Sequence, residues 1–241
     1  MALQDSGLGS LKNVARDAQR AAEQYSNRPE FDFTSNSADP RDALPRYMLR
    51  IFLPLWASAG VMDWYWHKNT DIEHTAGISE SLMHFGMFME GGVPLMLGIF
   101  CEVNAGVLAA MAGAIAVHEL NAFLDVRYAL NHREVKNWEQ HTHSFLEVLP
   151  FTAFSLFSVF HWDQFRALLG FGPEKPDFKF RLKSRRLPKR HLMAVAGLVA
   201  FGVVAPYANE LWRCWKARKE PHRNEGYYGN VKPADPVLGN R

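Results

Sequence analysis

Two stretches of the chain carry the same chemistry-bearing residues in the same order. From Asp63 to His84 the sequence reads DWYWHKNTDIEHTAGISESLMH, and from Asp125 to His143 it reads DVRYALNHREVKNWEQHTH. Each has an Asp, a polar stretch and then Glu-x-x-x-His: Asp63, Glu80 and His84 in the first, Asp125, Glu139 and His143 in the second. The Asp-to-Glu separation is 17 residues in one (63 to 80) and 14 in the other (125 to 139), a difference that a loop absorbs. Residues four apart share a helical face, so each Glu converges with its His. Asp63 with His67, and His143 with Glu147, repeat that spacing. Mixed imidazole and carboxylate donors suit iron, manganese or zinc, whereas purely carboxylate sites suit magnesium or calcium. The predicted ligand set is Asp63, His67, Glu80, His84, Asp125, Glu139, His141, His143 and Glu147. His118, two turns before Asp125, joins it as a ligand or as a partner to one. The expected cofactor is a transition metal, two iron ions first, with zinc or manganese as substitutes.

The elements that must position these groups are membrane helices. A mean hydropathy of -0.20 averages polar tails with strongly apolar segments, and about 20 mostly apolar residues suffice to cross a bilayer. Five such segments are read: about 47–66, 80–100, 104–126, 142–162 and 191–212. The fold class is therefore all-α, an integral membrane helical bundle of about five transmembrane helices. Its first four form two pseudo-repeated hairpins related by an axis along the membrane normal. The organisation predicted is a polar N-terminal segment (1–45), a four-helix bundle with the metal site (46–162), a basic linker (163–190), a fifth span (191–216) and a flexible tail (217–241). Residues 11–25 are read as a short surface helix. The first residues lack the apolar core of a signal peptide, so insertion is expected to rest on the internal helices.

Alternation puts the 67–79 and 127–141 loops and the C-terminal tail on one side, with the N-terminus, the 101–104 turn and the 163–190 linker opposite. Lys and Arg number seven before residue 51 and nine over 166–190, against one in 67–79 and three in 127–141. The positive-inside rule then sets the N-terminus in the cytoplasm, consistent with a bacterial inner membrane. The basic run RCWKARK after the last span argues the other way. A net charge of +2 excludes nucleic acid as an evident partner. The partners expected are the lipid bilayer, an apolar substrate and an electron donor; no oligomeric state is read. Cys101 and Cys214 form no metal or disulfide spacing.

Against the metal reading stands a plainer one, in which the same groups are interfacial ion pairs and helix caps. Their repetition in both hairpins favours metal, since ionisable groups within a membrane usually face the interior, pair or bind ions. Arg127 and Arg133 could neutralise excess carboxylate charge or bind an anionic substrate, and are read mainly as ordinary ion-pair partners. Glu90, beside Gly91, Gly92 and Pro94, is either a proton relay or a polar group satisfied by local helix distortion.

Two resemblances attach to these residues. His67 with Ile72–Glu73, and the run Glu139-Gln-His-Thr-His-Ser-Phe-Leu-Glu147, resemble stretches in a group of bacterial multi-spanning membrane proteins of unclear function, over about residues 60–150. In general design the chain is also similar to membrane di-iron desaturases and hydroxylases, although their His-x-x-x-His and His-x-x-His-His boxes are absent. Soluble di-iron bundles share the ligand types, with Glu-x-x-His in place of Glu-x-x-x-His. The second resemblance implies a metal-dependent membrane oxidoreductase acting on a lipid or other apolar substrate. The rival expectations are a metal-dependent membrane hydrolase, a haem subunit with axial ligands such as His84 and His118, and an ion transporter.

Overall fold

The computed structural model describes residues 40–184 and 186–222. The expected surface helix over 11–25 lies outside the described residues, as does most of the tail. The chain divides into two units, Met1–Pro45 and Arg46–Arg241; all that follows concerns the second.

Among the described residues every long element is helical: α1 (Pro40–Tyr47), α2 (Leu53–Asn69), α3 (Gly77–Phe100), α4 (Ala105–His132), α5 (Asn137–Phe160), α6 (Trp162–Leu168), α7 (Lys189–Val199) and α8 (Ala205–Ala217). A π-helical turn, Met48–Phe52, leads into α2, and another, Ala200–Val204, joins α7 to α8. Each ends two residues before a proline, Pro54 and Pro206. A proline offers no N–H and its ring crowds the carbonyl four residues earlier, so the local ladder widens rather than stops. α4 begins cleanly because the Asn104 side chain accepts the Val107 N–H at 3.0 Å, an ordinary N-cap.

Four helices are long and apolar enough to cross a membrane: α3, α4, α5 and the continuous Lys189–Ala217. Their outer faces are apolar as well, with Phe201 81% and Phe123 64% exposed. Burying such side chains is worth about 1.5–3 kcal/mol each, and here a bilayer supplies the apolar surroundings. The segment expected as the first span is helical but is not among the four. The regular α-helical part, α2, has 17 residues and carries Asp63, His67 and Lys68.

α2 packs on α5, α5 on α4, α4 on α3, α3 on α8 and α8 on α2. The last helix thus lies between α2 and α3 and closes the ring. The basic segment after α6 folds back on the α3–α4 turn: Glu102 N–H donates to Arg181 O, Gly106 N–H to Asp177 O and Lys183 N–H to Phe100 O, at 2.8–2.9 Å. Gly106 permits that approach, since a Cβ there would lie 2.9 Å from Phe178 Cα.

Candidate metal centre

One end of the ring holds a sealed cluster of ionisable groups. Asp63 and His67 come from α2, Glu80 and His84 from α3, Asp125 from α4, Glu139 and His143 from α5, Arg133 from the residue after α4, and Glu210 from α8. His67, Glu80, Glu139 and Glu210 are fully buried, and Asp63, His84, Asp125 and Arg133 are at most 3% exposed. Five helices therefore contribute to one desolvated site, where each charge must find a partner or an ion.

The cluster is ordered crosswise between the hairpins. His143 Nε2 lies 2.9 Å from Asp63 Oδ1, and His84 Nε2 lies 3.3 Å from Asp125 Oδ1. Each histidine thus meets the aspartate of the other hairpin. The two glutamates meet at a shared cation. Arg133 Nε donates to both Glu80 oxygens at 3.0 and 3.1 Å, and Nη2 contacts both Glu80 and Glu139. This is bidentate guanidinium geometry, which a lysine cannot reproduce.

Two sets of donor atoms result. The first is His67 Nε2, His143 Nε2 and Asp63 Oδ1, separated by 3.4, 3.6 and 2.9 Å. The second is His84 Nε2, Asp125 Oδ1 and Glu80 Oε1, with His84 at 3.3 and 3.8 Å from the two carboxylates. Ligand atoms about 2.0–2.2 Å from a common ion stand about 3–3.6 Å apart, a range that the first set and the His84–Asp125 pair approach and the His84–Glu80 separation exceeds. Asp63 Oδ1, His84 Nε2 and Asp125 Oδ1 are cut off from solvent. These buried groups can hold a metal ion.

Glu210 orders both sets. One of its oxygens takes His67 Nδ1 at 2.9 Å and the other takes His84 Nδ1 at 2.7 Å. The two imidazoles stack at 4.3 Å with 7° between their planes. An ionised Glu210 accepts from each Nδ1–H, so a neutral imidazole there would turn the lone pair of its Nε2 to its own donor set. A carboxylate behind a metal-binding imidazole performs this fixing of tautomer and ring orientation.

The remaining predicted ligands lie elsewhere. His118 sits farther along α4, 3.7 Å from Glu90. Asn121 donates to Glu90 at 3.3 Å, so Glu90 belongs to a polar contact between α3 and α4. His141 is exposed and meets the Trp138 ring edge-on at 6.4 Å. Glu147 lies on α5 one turn past His143, away from the donor sets. Sequence reasoning passed over Glu210, although an isolated acid in an otherwise apolar span is a signal for function. Arg133 is the ion-pair partner of carboxylates that the sequence suggested; its burial, at 1% exposure, and its pairing with Glu80 and Glu139 of both hairpins were not foreseen.

Outside this centre, the loop before α3 places His74 between Asp71 at 2.7 Å and Glu220 at 3.0 Å. The hydrogen bond to Asp71, aided by the charges of Asp71 and Glu220, raises the His74 pKa above its ordinary value. Arg213 pairs with Glu73 beside it.

From the donor sets an apolar cavity of about 860 Å³ runs between the helices, with Asp63, His84, Asp125 and His143 at one end. Comparison with protein-family models, with curated proteins and with solved structures finds no match to this chain.

Proposed function

We propose that the chain is a two-metal membrane oxidoreductase, with iron as the native metal, acting on a lipid-like substrate that reaches the metals from the bilayer interior. One observation carries this: two crossed His/carboxylate donor sets, buried from solvent, line one end of an apolar cavity. The set of His67, His143 and Asp63 has two imidazoles and one carboxylate, the composition by which non-haem iron enzymes hold iron with positions left open. Iron held so supplies electron cycling and an exchangeable coordination position. The protein's own part is to hold the imidazoles through Glu210, to neutralise Glu80 and Glu139 through Arg133, and to exclude water from the apolar approach. The crossed pairing suits a duplicated hairpin, in which neither copy completes a site alone. We place α2 as a fifth span and the basic 175–190 segment on the cytoplasmic side.

The test is elemental analysis of the purified protein, followed by oxygen uptake after reduction. Up to two iron ions per chain are expected. Their content should fall in His84→Ala and His143→Ala and remain in His141→Ala, and the reduced wild type should consume oxygen as lipid gains a hydroxyl group or a double bond. Zinc as the native metal, with no oxygen uptake, would replace this reading by hydrolysis, in which a bound ion lowers the pKa of water. Folded protein that takes up no ion would remove the metal altogether.

A further inference from the structure

The cavity has two chemically different ends. At one end stand the carboxylates of Asp63, Glu80, Asp125, Glu139 and Glu210, with Arg133 as the cation that pairs Glu80 and Glu139. The other end is bounded by Phe100, Leu192 and Val195. There Arg50, Lys189 and Arg190 are exposed, and both Arg50 and Arg190 act electrostatically on His191. An anionic group is therefore favoured at the Phe100 end, and is repelled at the other while the carboxylates hold no metal.

Length selects the ligand further. The lining follows α3 from His84 to Phe100, which at 1.5 Å per residue is about 24 Å. One leaflet's share of a ~30 Å hydrocarbon core is about 15 Å, so the cavity is longer than a leaflet is deep. Its wall is apolar for most of this distance, with Trp56, Phe88, Leu95 and Val199 among the lining residues. Midway, Gly92 faces open space, since a Cβ added there meets nothing within 4 Å. Gly91 differs, because a Cβ there would come within 3.0 Å of the Trp56 ring. An apolar space that follows α3 for about 24 Å, with Arg50 and Arg190 beside the His191 that precedes its lining residue Leu192, fits a single extended chain with an anionic head.

We propose that this cavity binds one long-chain anionic lipid, with its head group at Arg50 and Arg190 and its chain running along α3 so that the chain terminus lies at the Asp63, His84, Asp125 and His143 cluster. Binding stands on the cavity and its charged mouth. Only the consequence, that the tail end of the chain is the part that reacts, rests on the reading of the cluster as an oxidising centre.

The experiment titrates the full-length protein, in nanodiscs of zwitterionic lipid, with straight-chain fatty acids of increasing length and with the corresponding alcohols. It is run on metal-free and metal-loaded samples. Affinity should rise about fourfold per methylene and then level off once the chain fills the cavity. Gly92→Phe should bring that levelling to about half the chain length while leaving metal content unchanged. Arg50→Glu with Arg190→Glu should weaken acids at least about tenfold, the loss of one charge-assisted contact, and spare the alcohols. A wild-type curve with no levelling, as for bulk lipid, or a Gly92→Phe curve that levels where wild type does, overturns the cavity as the site. Acid affinity that needs metal and ignores the arginine variants overturns the orientation. Chain binding as expected, by protein that consumes no oxygen, would leave this inference standing and remove the oxidative function.

Discussion

Replacing Glu210 separates a metal centre from a cluster of ordinary ion pairs. Its carboxylate takes the Nδ1 groups of His67 and His84 at 2.9 and 2.7 Å, and those rings belong to different donor sets. Loss of a carboxylate behind a metal-binding imidazole lowers metal affinity about 10–100-fold, or about 1.4–2.7 kcal/mol. A hydrogen bond to a charged group is worth about 1.5–3 kcal/mol, so the two estimates agree for one ring. Glu210→Ala removes both bonds. Each ion should bind about 10–100-fold more weakly, and the product of the two affinities should fall by about two to four orders of magnitude if the rings act independently. Glu210→Gln keeps one acceptor oxygen and turns an N–H donor toward the other ring, so one ion should be spared more than the other. The assay is titration of metal-free protein with cobalt(II), read by visible absorption, with circular dichroism to confirm the fold. Asp63→Asn and Asp125→Asn serve as single-set controls, each weakening one ion. If Glu210→Ala weakens only one ion, or neither, Glu210 does not order both sets and the two-metal arrangement is wrong.

Three further outcomes are expected. Arg133→Ala strands two buried carboxylates, so by the cost of breaking a buried ion pair it should lose about 3–5 kcal/mol of stability; Arg133→Lys should recover only part, measured by thermal denaturation in detergent. Single cysteines at 69 and at 134 or 136 should react with a membrane-impermeant reagent from one side and cysteines at 178–182 from the other; reaction of the first two loops from opposite sides is incompatible with one centre. His74 has a raised pKa in the folded protein. Its contribution to holding the 71–74 loop against Glu220 is therefore fully present below about pH 6.5 and is lost as pH rises through the raised value. Amide protection across 70–77, corrected for the intrinsic rise of exchange with pH, should fall over that window in wild type and not in His74→Ala.

The helices and most of the cluster were legible because both depend on local pattern. Apolar runs marked α3, α4, α5 and the last helix, and the four-residue spacing put Glu80 with His84 and Glu139 with His143 on common helical faces. The limits of the pattern lie where partners are distant in sequence. Which histidine faces which aspartate is decided by how the helices pack, and the packing crosses the hairpins, so that His84 meets Asp125 and His143 meets Asp63. Spacing alone also presented Glu80 and Glu139 as equivalent ligands. In the fold Arg133 pairs with both, and Glu80 Oε1 also stands 3.8 Å from His84 Nε2. The four-residue rule carried no warning that His141 faces outward, because two histidines two residues apart on a helix point in different directions.

Glu210 shows why the last helix belongs to the site. The two hairpins together supply Asp63, His67 and His143 on one side and Glu80, His84 and Asp125 on the other, and the symmetry between them is broken at one position. His67 lies four residues after Asp63, while the residue four after Asp125 is Ala129, fully buried. One donor set therefore has two imidazoles and the other has one. Lying between α2 and α3, α8 brings the carboxylate that binds His67 and His84 together. The π-helical turn at Ala200–Val204 lies two turns before Glu210 and shifts the register of the helix there. Removing it by Pro206→Ala should let α7 and α8 join as a regular α-helix and rotate Glu210 relative to the imidazoles. The expected result is weaker cobalt binding at both sets, in protein that keeps its helix content and its place in the membrane. Unchanged cobalt affinity in that variant would mean that the turn does not set the position of Glu210.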